Sequence, residues 1–180
     1  SSDLGLKMQG LKEVVYVSGG DGATSEGDFH EALNYAGLHK LPVIFVVHDN
    51  GWAISVPVRE QTAGGSVAQA LQNTSGVAVH AVDGTQYQPL ATAIECAITR
   101  ALGGDGPSVI VAKVPRLSSH SNSDDPGKYR PKEDLEKDMK RDPLPAYKRY
   151  LLKEGVCSEE ELKALEEQIQ AEVEEAAHLA

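Results

Sequence analysis

Two short apolar runs, each emptying into a polar turn, constrain this chain most. Val14-Val15-Tyr16-Val17 leads into Gly19-Gly20-Asp21-Gly22-Ala23-Thr24-Ser25-Glu26-Gly27. Val43-Ile44-Phe45-Val46-Val47 leads into Asp49-Asn50-Gly51-Trp52. Continuous apolar runs of this length read as buried strands. Between them a helical pattern over residues 26–39 puts Phe29, Leu33, Ala36 and Gly37 on one narrow face, with Ser25 as the expected N-cap. Asp21 and Asn50 lie 29 positions apart. A helix of about 14 residues runs about 21 Å, and a strand of about six returns about 20 Å. The chain therefore comes back to the same edge of a parallel sheet. Asp21 and Asn50 are expected on adjacent loops at the strands' C-terminal ends, where α/β sheets bind ligands.

The residue types at this edge indicate the ligand. Glycines let the backbone turn sharply and approach a bound group closely. The amides of such a turn suit a phosphate. A carboxylate aimed at a phosphate repels it unless a cation lies between, so Asp21 implies a hard divalent ion such as Mg²⁺ or Ca²⁺. Asn50 is the expected second oxygen ligand. Taken singly, Asp21 is an ordinary turn aspartate and Asn50-Gly51 an ordinary turn; the metal reading rests on their spacing.

Gly20-Asp21-Gly22 followed by Asn50 resembles the thiamin-diphosphate motif. Three stretches extend the likeness: residues 20–28, Asn50-Gly51-Trp52-Ala53-Ile54-Ser55, and His120-Ser121-Asn122-Ser123-Asp124-Asp125-Pro126-Gly127-Lys128-Tyr129-Arg130-Pro131. In this order they resemble the α subunit of thiamin-diphosphate-dependent 2-oxo acid dehydrogenases, the branched-chain (2-oxoisovalerate) type most closely, over nearly the whole chain. The resemblance implies Mg²⁺ held by the side chains of Asp21 and Asn50 and the main-chain carbonyl of Trp52. Gly20, Gly22 and Ala23 would line the diphosphate. Trp52 stands where the family usually has tyrosine, a change that a carbonyl role tolerates. Asp49 and His48 also depart from the family's usual residues. His120 aligns with the family's active-site histidine, near the thiazolium and the incoming lipoyl group, where an imidazole can exchange a proton near neutral pH. Arg116 matches an arginine that orders this loop. Ser121 matches the serine phosphorylated in the eukaryotic branched-chain enzyme; by itself it is a plain loop serine. Tyr129 and Arg130 match loop residues near the acyltransferase docking surface. By composition alone residues 116–130 would be a flexible loop.

The resemblance also implies partners: a β subunit in an α2β2 assembly, which supplies the glutamate that activates the cofactor, and a lipoyl acyltransferase. The polypeptide alone is expected to be inactive. Residues 1–10 read as a helix end that lies mid-subunit in the family, so the chain is expected to be a fragment or one part of a split gene lacking the N-terminal half.

Further on, the pattern predicts a loop over residues 58–65, a short helix over 66–73, a strand over 77–82, a helix over 89–102 and a strand over 108–114. Gly103-Gly104-Asp105-Gly106-Pro107 reads as a helix cap and turn on the edge away from the ligand loops. The fold class is α/β, a doubly wound parallel sheet of the thiamin-diphosphate-binding fold, followed by C-terminal helices. Residues 1–130 form the cofactor domain and 131–180 a helical extension that packs on it or on a partner. Pro131 opens one short helix, Asp142 caps a second, and Ser158 with Glu161 forms a capping box for a last amphipathic helix bearing eight glutamates.

Composition narrows the class. A net charge of −10 argues against nucleic acid. No apolar run is long enough to span a bilayer, and a cytoplasmic location is expected, or the mitochondrial matrix in a eukaryote. Cys96 and Cys157 fit no metal or redox spacing and read as buried free thiols. Two readings of other classes stay open. A nucleotide-binding Rossmann domain needs a third glycine where Ser25 stands and no carboxylate at position 21. A non-catalytic remnant would have no use for the His120 loop. Pyruvate and acetoin enzymes share most of the three motifs, so they remain alternatives for the substrate.

Overall fold

The computed structural model describes residues 2–179. It divides into two compact units, Ser1–Arg141 and Asp142–Ala180.

The first unit is a four-stranded parallel sheet in the order β1-β2-β6-β5. Its strands are β1 (Val15–Gly20), β2 (Val43–Asp49), β5 (Ala78–Asp83) and β6 (Ser108–Lys113). Trp52–Ala53 and Val56–Pro57 form a separate two-stranded antiparallel hairpin, β3 and β4. The helices are α1 (Ser2–Gln9), α2 (Gly27–His39), the short α3 (Val58–Gln61) and α4 (Val67–Leu71), α5 (Tyr87–Leu102) and α6 (Lys132–Lys140). The continuous apolar runs of β2 and β6 are central and buried on both faces, as parallel sheets require. One face packs Val43, Phe45, Val47, Val109 and Val111 against Leu33 and Ala36 of α2 and Val67 and Leu71 of α4. The other packs Ile44, Val46 and Ile110 against Ala93 and Ala97 of α5. Helices on both faces of a parallel sheet make it doubly wound. All four C-terminal strand ends, Gly20, Asp49, Asp83 and Lys113, therefore point to one edge.

Several sequence expectations change. β1 is an edge strand, not a buried one: among the described residues it pairs only with β2, and Tyr16 and Val17 are 60% and 41% exposed. Apolar character records what a strand could bury, not whether a neighbour is present. Ser25 does not cap α2; it ends a 3-10 turn over Gly22–Ser25, and Glu26 takes the cap position without a side-chain bond. Residues 58–65 are not a plain loop, since α3 and a 3-10 turn at Ala63–Gly65 lie within them. Cys96 is exposed and Cys157 half-buried, so neither is a buried thiol. The glycine group after α5 is a turn, with Gly104 and Gly106 at φ +77° and +97°.

The second unit holds α7 (Pro143–Lys153) and α8 (Glu159–Leu179). Asp142 accepts the Leu144 N–H at 2.9 Å. The capping box forms in both directions: Glu161 N–H donates to Ser158 Oγ at 3.1 Å and Ser158 N–H to Glu161 Oε2 at 2.8 Å. Lys148 bridges α7 to Glu166 of α8 at 3.0 Å. Leu165, Ile169 and Val173, on the apolar stripe of α8, are exposed. Among the described residues no helix is long and apolar enough to cross a membrane.

Candidate functional site

Asp21 and Asn50 arrive at the same edge because β1 and β2 are parallel neighbours. Gly20 pairs with His48, which sets Asp21 beside Asp49 on the next rung. The glycine turn also touches the second loop: a Cβ on Gly22 would lie 2.9 Å from Ala53 Cβ, closer than real atoms approach. Only glycine permits that packing.

The turn is pinned from within and without. Thr24 Oγ1 donates to the Asp21 carbonyl at 2.7 Å. From α3, Gln61 Nε2 donates to the Gly22 carbonyl at 3.0 Å and Ser25 Oγ at 2.9 Å, with the Asp21 carbonyl at 3.4 Å. The second loop holds itself. Asp49 Oδ1 accepts the Gly51 N–H at 3.1 Å, and Asn50 Oδ1 accepts the Trp52 N–H at 3.0 Å. Gly51 supplies the left-handed φ of +80° that this turn requires. His48, which departs from the family residue, is exposed, and Asp49 is buried.

Asp21 is 1% exposed, and neither carboxylate oxygen has a partner at good hydrogen-bond geometry, although the Asp21 and Asn50 N–H groups lie near it. Burial pushes its carboxyl above the usual range, and the nearby charge of Asp49 pushes the same way. The N–H groups of Asp21 and Asn50, and Arg116, pull in the opposite direction without outweighing these. An ionised carboxylate buried without a partner is costly unless a cation or proton joins it. The donors at hand are a carboxylate, an amide oxygen with a lone pair left over and main-chain carbonyls. That all-oxygen set fits Mg²⁺. Among the described residues no three His, Cys, Asp or Glu side chains converge on one point, so the set depends on amide and carbonyl oxygens.

The second half of the edge is residues 116–130, and its composition misleads. A chain of bonds crosses the loop. Arg116 Nη1 donates to the Ile54 carbonyl at 2.6 Å and its Nη2 to Tyr129 Oη at 2.5 Å. Tyr129 donates on to Asp124 Oδ2 at 2.7 Å, and that oxygen accepts the His120 N–H at 2.9 Å. These bonds hold the Asp124 carboxyl below the usual range, the His120 amide first and the Tyr129 hydroxyl second. Burial and then Asp124 raise the Tyr129 phenol. The base of the loop is closed by Asp138 of α6. Its Oδ2 accepts Arg130 Nη2 at 2.6 Å and the Arg116 N–H at 3.2 Å, while Arg130 Nη1 returns a bond to the Arg116 carbonyl at 3.2 Å.

Arg130, matched by resemblance to a docking surface, is 5% exposed and engaged with Asp138. Here its side chain fastens the loop. Trp52 links the two halves: the Arg130 guanidinium lies 5.3 Å from its ring centroid, and the Tyr129 ring 5.6 Å. His120 and Ser121 are exposed at the loop tip. Asn50, Trp52, Arg116, Tyr129 and Arg130 thus form one connected cluster beside the Asp21 turn, and His120 is joined to it by its backbone. Sequence reading missed Gln61, which stands in a polar stretch with no motif, and Asp138, one acidic residue among several on α6. It also missed the strain at Ile54, a β-branched residue at φ +55° whose carbonyl Arg116 holds.

Residues 2–180 match the family model described as "Dehydrogenase E1 component". The 3-methyl-2-oxobutanoate dehydrogenase subunit alpha of Mycobacterium tuberculosis is 42% identical over 152 residues, covering 84% of this chain and 40% of that protein. The pyruvate dehydrogenase E1 component subunit alpha of Acholeplasma laidlawii is 40% identical over 168 residues, 93% of this chain and 48% of that one. The 2-oxoisovalerate dehydrogenase subunit alpha of Bacillus subtilis is 37% identical over 180 residues, covering 96% and 53%. The chain spans about half the length of these relatives. Proteins named for pyruvate and for branched 2-oxo acids stand at similar identity, so the comparisons do not separate the two substrates. From its match to the family model over residues 2–180, the chain belongs to the dehydrogenase E1 component family.

Proposed function

We propose that this chain supplies the Mg²⁺ and diphosphate half of a thiamin-diphosphate site in a decarboxylating 2-oxo acid dehydrogenase, completed by a β subunit. The observation that carries this reading is the buried Asp21 carboxylate with both oxygens unpartnered, beside the Asn50 loop. Asp21, Asn50 and the Trp52 carbonyl would hold the ion, and the amides of Gly22 and Ala23 would meet the diphosphate. When bound, the cofactor supplies an electron sink for loss of carbon dioxide from a 2-oxo acid.

The chain's own residues do the rest. The buried Asp21 would hold the cation away from bulk water, which would strengthen its hold. His120, exposed at the loop tip and tethered at its N–H, would exchange a proton at a ring nitrogen during acyl transfer to a lipoyl group. Arg116, Tyr129 and Asp124 keep that backbone in place. A phosphate on the exposed Ser121 would bring negative charge beside Asp124 and His120.

Branched 2-oxo acids are the substrate this reading favours, on the Asp124-Asp125-Pro126 loop. Pyruvate is the second reading, supported by relatives of similar identity. Calorimetric titration with thiamin diphosphate and Mg²⁺, with the β subunit present, tests the site: binding that needs both is expected, and NAD binding in its place would overturn it. Rates with 2-oxoisovalerate against pyruvate then decide the substrate. Decarboxylation by this polypeptide alone would contradict the shared site.

A further inference from the structure

We infer that Gln61 is a positioning residue for the diphosphate-facing amides of the glycine turn, an inference that rests on the reading above. The argument is one of peptide geometry. In a trans peptide the C=O and the following N–H point in opposite directions. Gln61 Nε2 binds the Gly22 carbonyl at 3.0 Å and lies 3.4 Å from the Asp21 carbonyl, reaching across 39 and 40 positions of sequence. Thr24 Oγ1 takes the Asp21 carbonyl as well. Drawing these two carbonyls towards α3 turns the N–H of Gly22 and the N–H of Ala23 the other way. These are the two amides assigned to the diphosphate.

Three acceptors around one amide nitrogen also fix which way the Gln61 side chain is turned. Gly22 O and Asp21 O can only accept, and the Ser25 hydroxyl is able to accept as well, so Nε2 faces the turn. Its Oε1 is left buried with no partner. A side chain that leaves its own acceptor unsatisfied in order to donate to the turn is placed there for the donor. Ala53 packs so close to Gly22 that no Cβ fits there. The Gln61 bonds to the two carbonyls therefore set the rotation of these peptides.

The consequence is specific to phosphate. Loss of Gln61 frees the two peptides to rotate, which weakens contacts to the diphosphate and leaves contacts to the rest of the cofactor alone. The test measures binding of thiamin diphosphate and thiamin monophosphate at saturating Mg²⁺, using the chain assembled with its β subunit. Gln61→Glu keeps the shape and sets an oxygen against the two carbonyls. Its affinity for thiamin diphosphate is expected to fall about tenfold, the worth of one to two hydrogen bonds. Its affinity for the monophosphate is expected to fall less, so the preference between the two narrows. Ser25→Ala, which removes one acceptor and leaves Gln61, is expected to shift the ratio about twofold in the same direction. If Gln61→Glu does not assemble, Gln61→Met keeps the length without the donor and answers the same question. Equal loss for both ligands, or no loss, overturns the inference. Absence of Mg²⁺-dependent binding in the unaltered protein overturns the proposed function itself, and the two failures are thereby told apart.

Discussion

The glycine turn at Asp21 and the loop at His120 lie at one sheet edge and are built on opposite plans. The turn is short, buries Asp21 and Thr24, and leaves a carboxylate unpartnered. The loop is long and mostly exposed, and its charges at Arg116, Asp124, Arg130 and Asp138 are paired off inside the protein. The difference teaches where to look for ligand chemistry. Unspent bonding capacity in a buried place points to something absent that completes it. Charges paired with one another point to shape, here the placing of a loop tip.

The largest test of that contrast is Asp21→Asn. It should lower Mg²⁺-dependent cofactor affinity about 100-fold or more, since a direct ligand outweighs the 10–100-fold typical of outer partners. Without ligand the same change should stabilise the chain near neutral pH. The sign follows from the raised carboxyl. A group whose folded value lies above its ordinary 3.8 favours the fold at low pH, and that gain is lost as pH rises through the folded value. The stability difference between Asp21→Asn and the unaltered chain should therefore grow from pH 4 towards neutrality in thermal melts and shrink when Mg²⁺ and cofactor are added. A flat difference would break the comparison.

Asp138→Ala attacks the other plan. It strands the guanidinium of Arg130, whose side chain is 2% exposed, without its carboxylate. We expect a loss of about 2–3 kcal/mol in denaturant unfolding, slightly under the range for breaking fully buried pairs because Asp138 keeps some exposure. Cofactor affinity should fall far less than in Asp21→Asn. Tyr129→Phe is the mildest. It removes one hydroxyl between Arg116 and Asp124 and should cost about 1 kcal/mol. Its sharper readout is acyl transfer to a lipoyl acceptor, expected to slow more than decarboxylation because the His120 tether is loosened. An equal effect on both steps would merge the two regions into one.

How much of this could be read beforehand depended on range. The runs at 43–47 and 108–114 specify central strands by themselves, because an unbroken β-branched stretch has few other homes. The spacing from Asp21 to Asn50 likewise needs only helix and strand lengths. The exposure of β1 was not legible, since an edge is defined by the absence of a neighbour. Gln61 and Asp138 were not legible either. Each matters through a partner tens of positions or a whole element away, and their residue types carry no periodic or motif signal. The loop at 116–130 shows the reverse error. Serines, aspartates and histidine read as disorder, yet two buried arginines organise it.

Ile54 sits at φ +55°, where a branched side chain is disfavoured by about 1–2 kcal/mol and glycine is at ease. A laboratory evolving this protein for heat resistance alone would be expected to replace that isoleucine early. One evolving it for turnover would be expected to keep it. Where the two searches part company at position 54, the toll of a fixed but uncomfortable backbone becomes a measurable property of the enzyme.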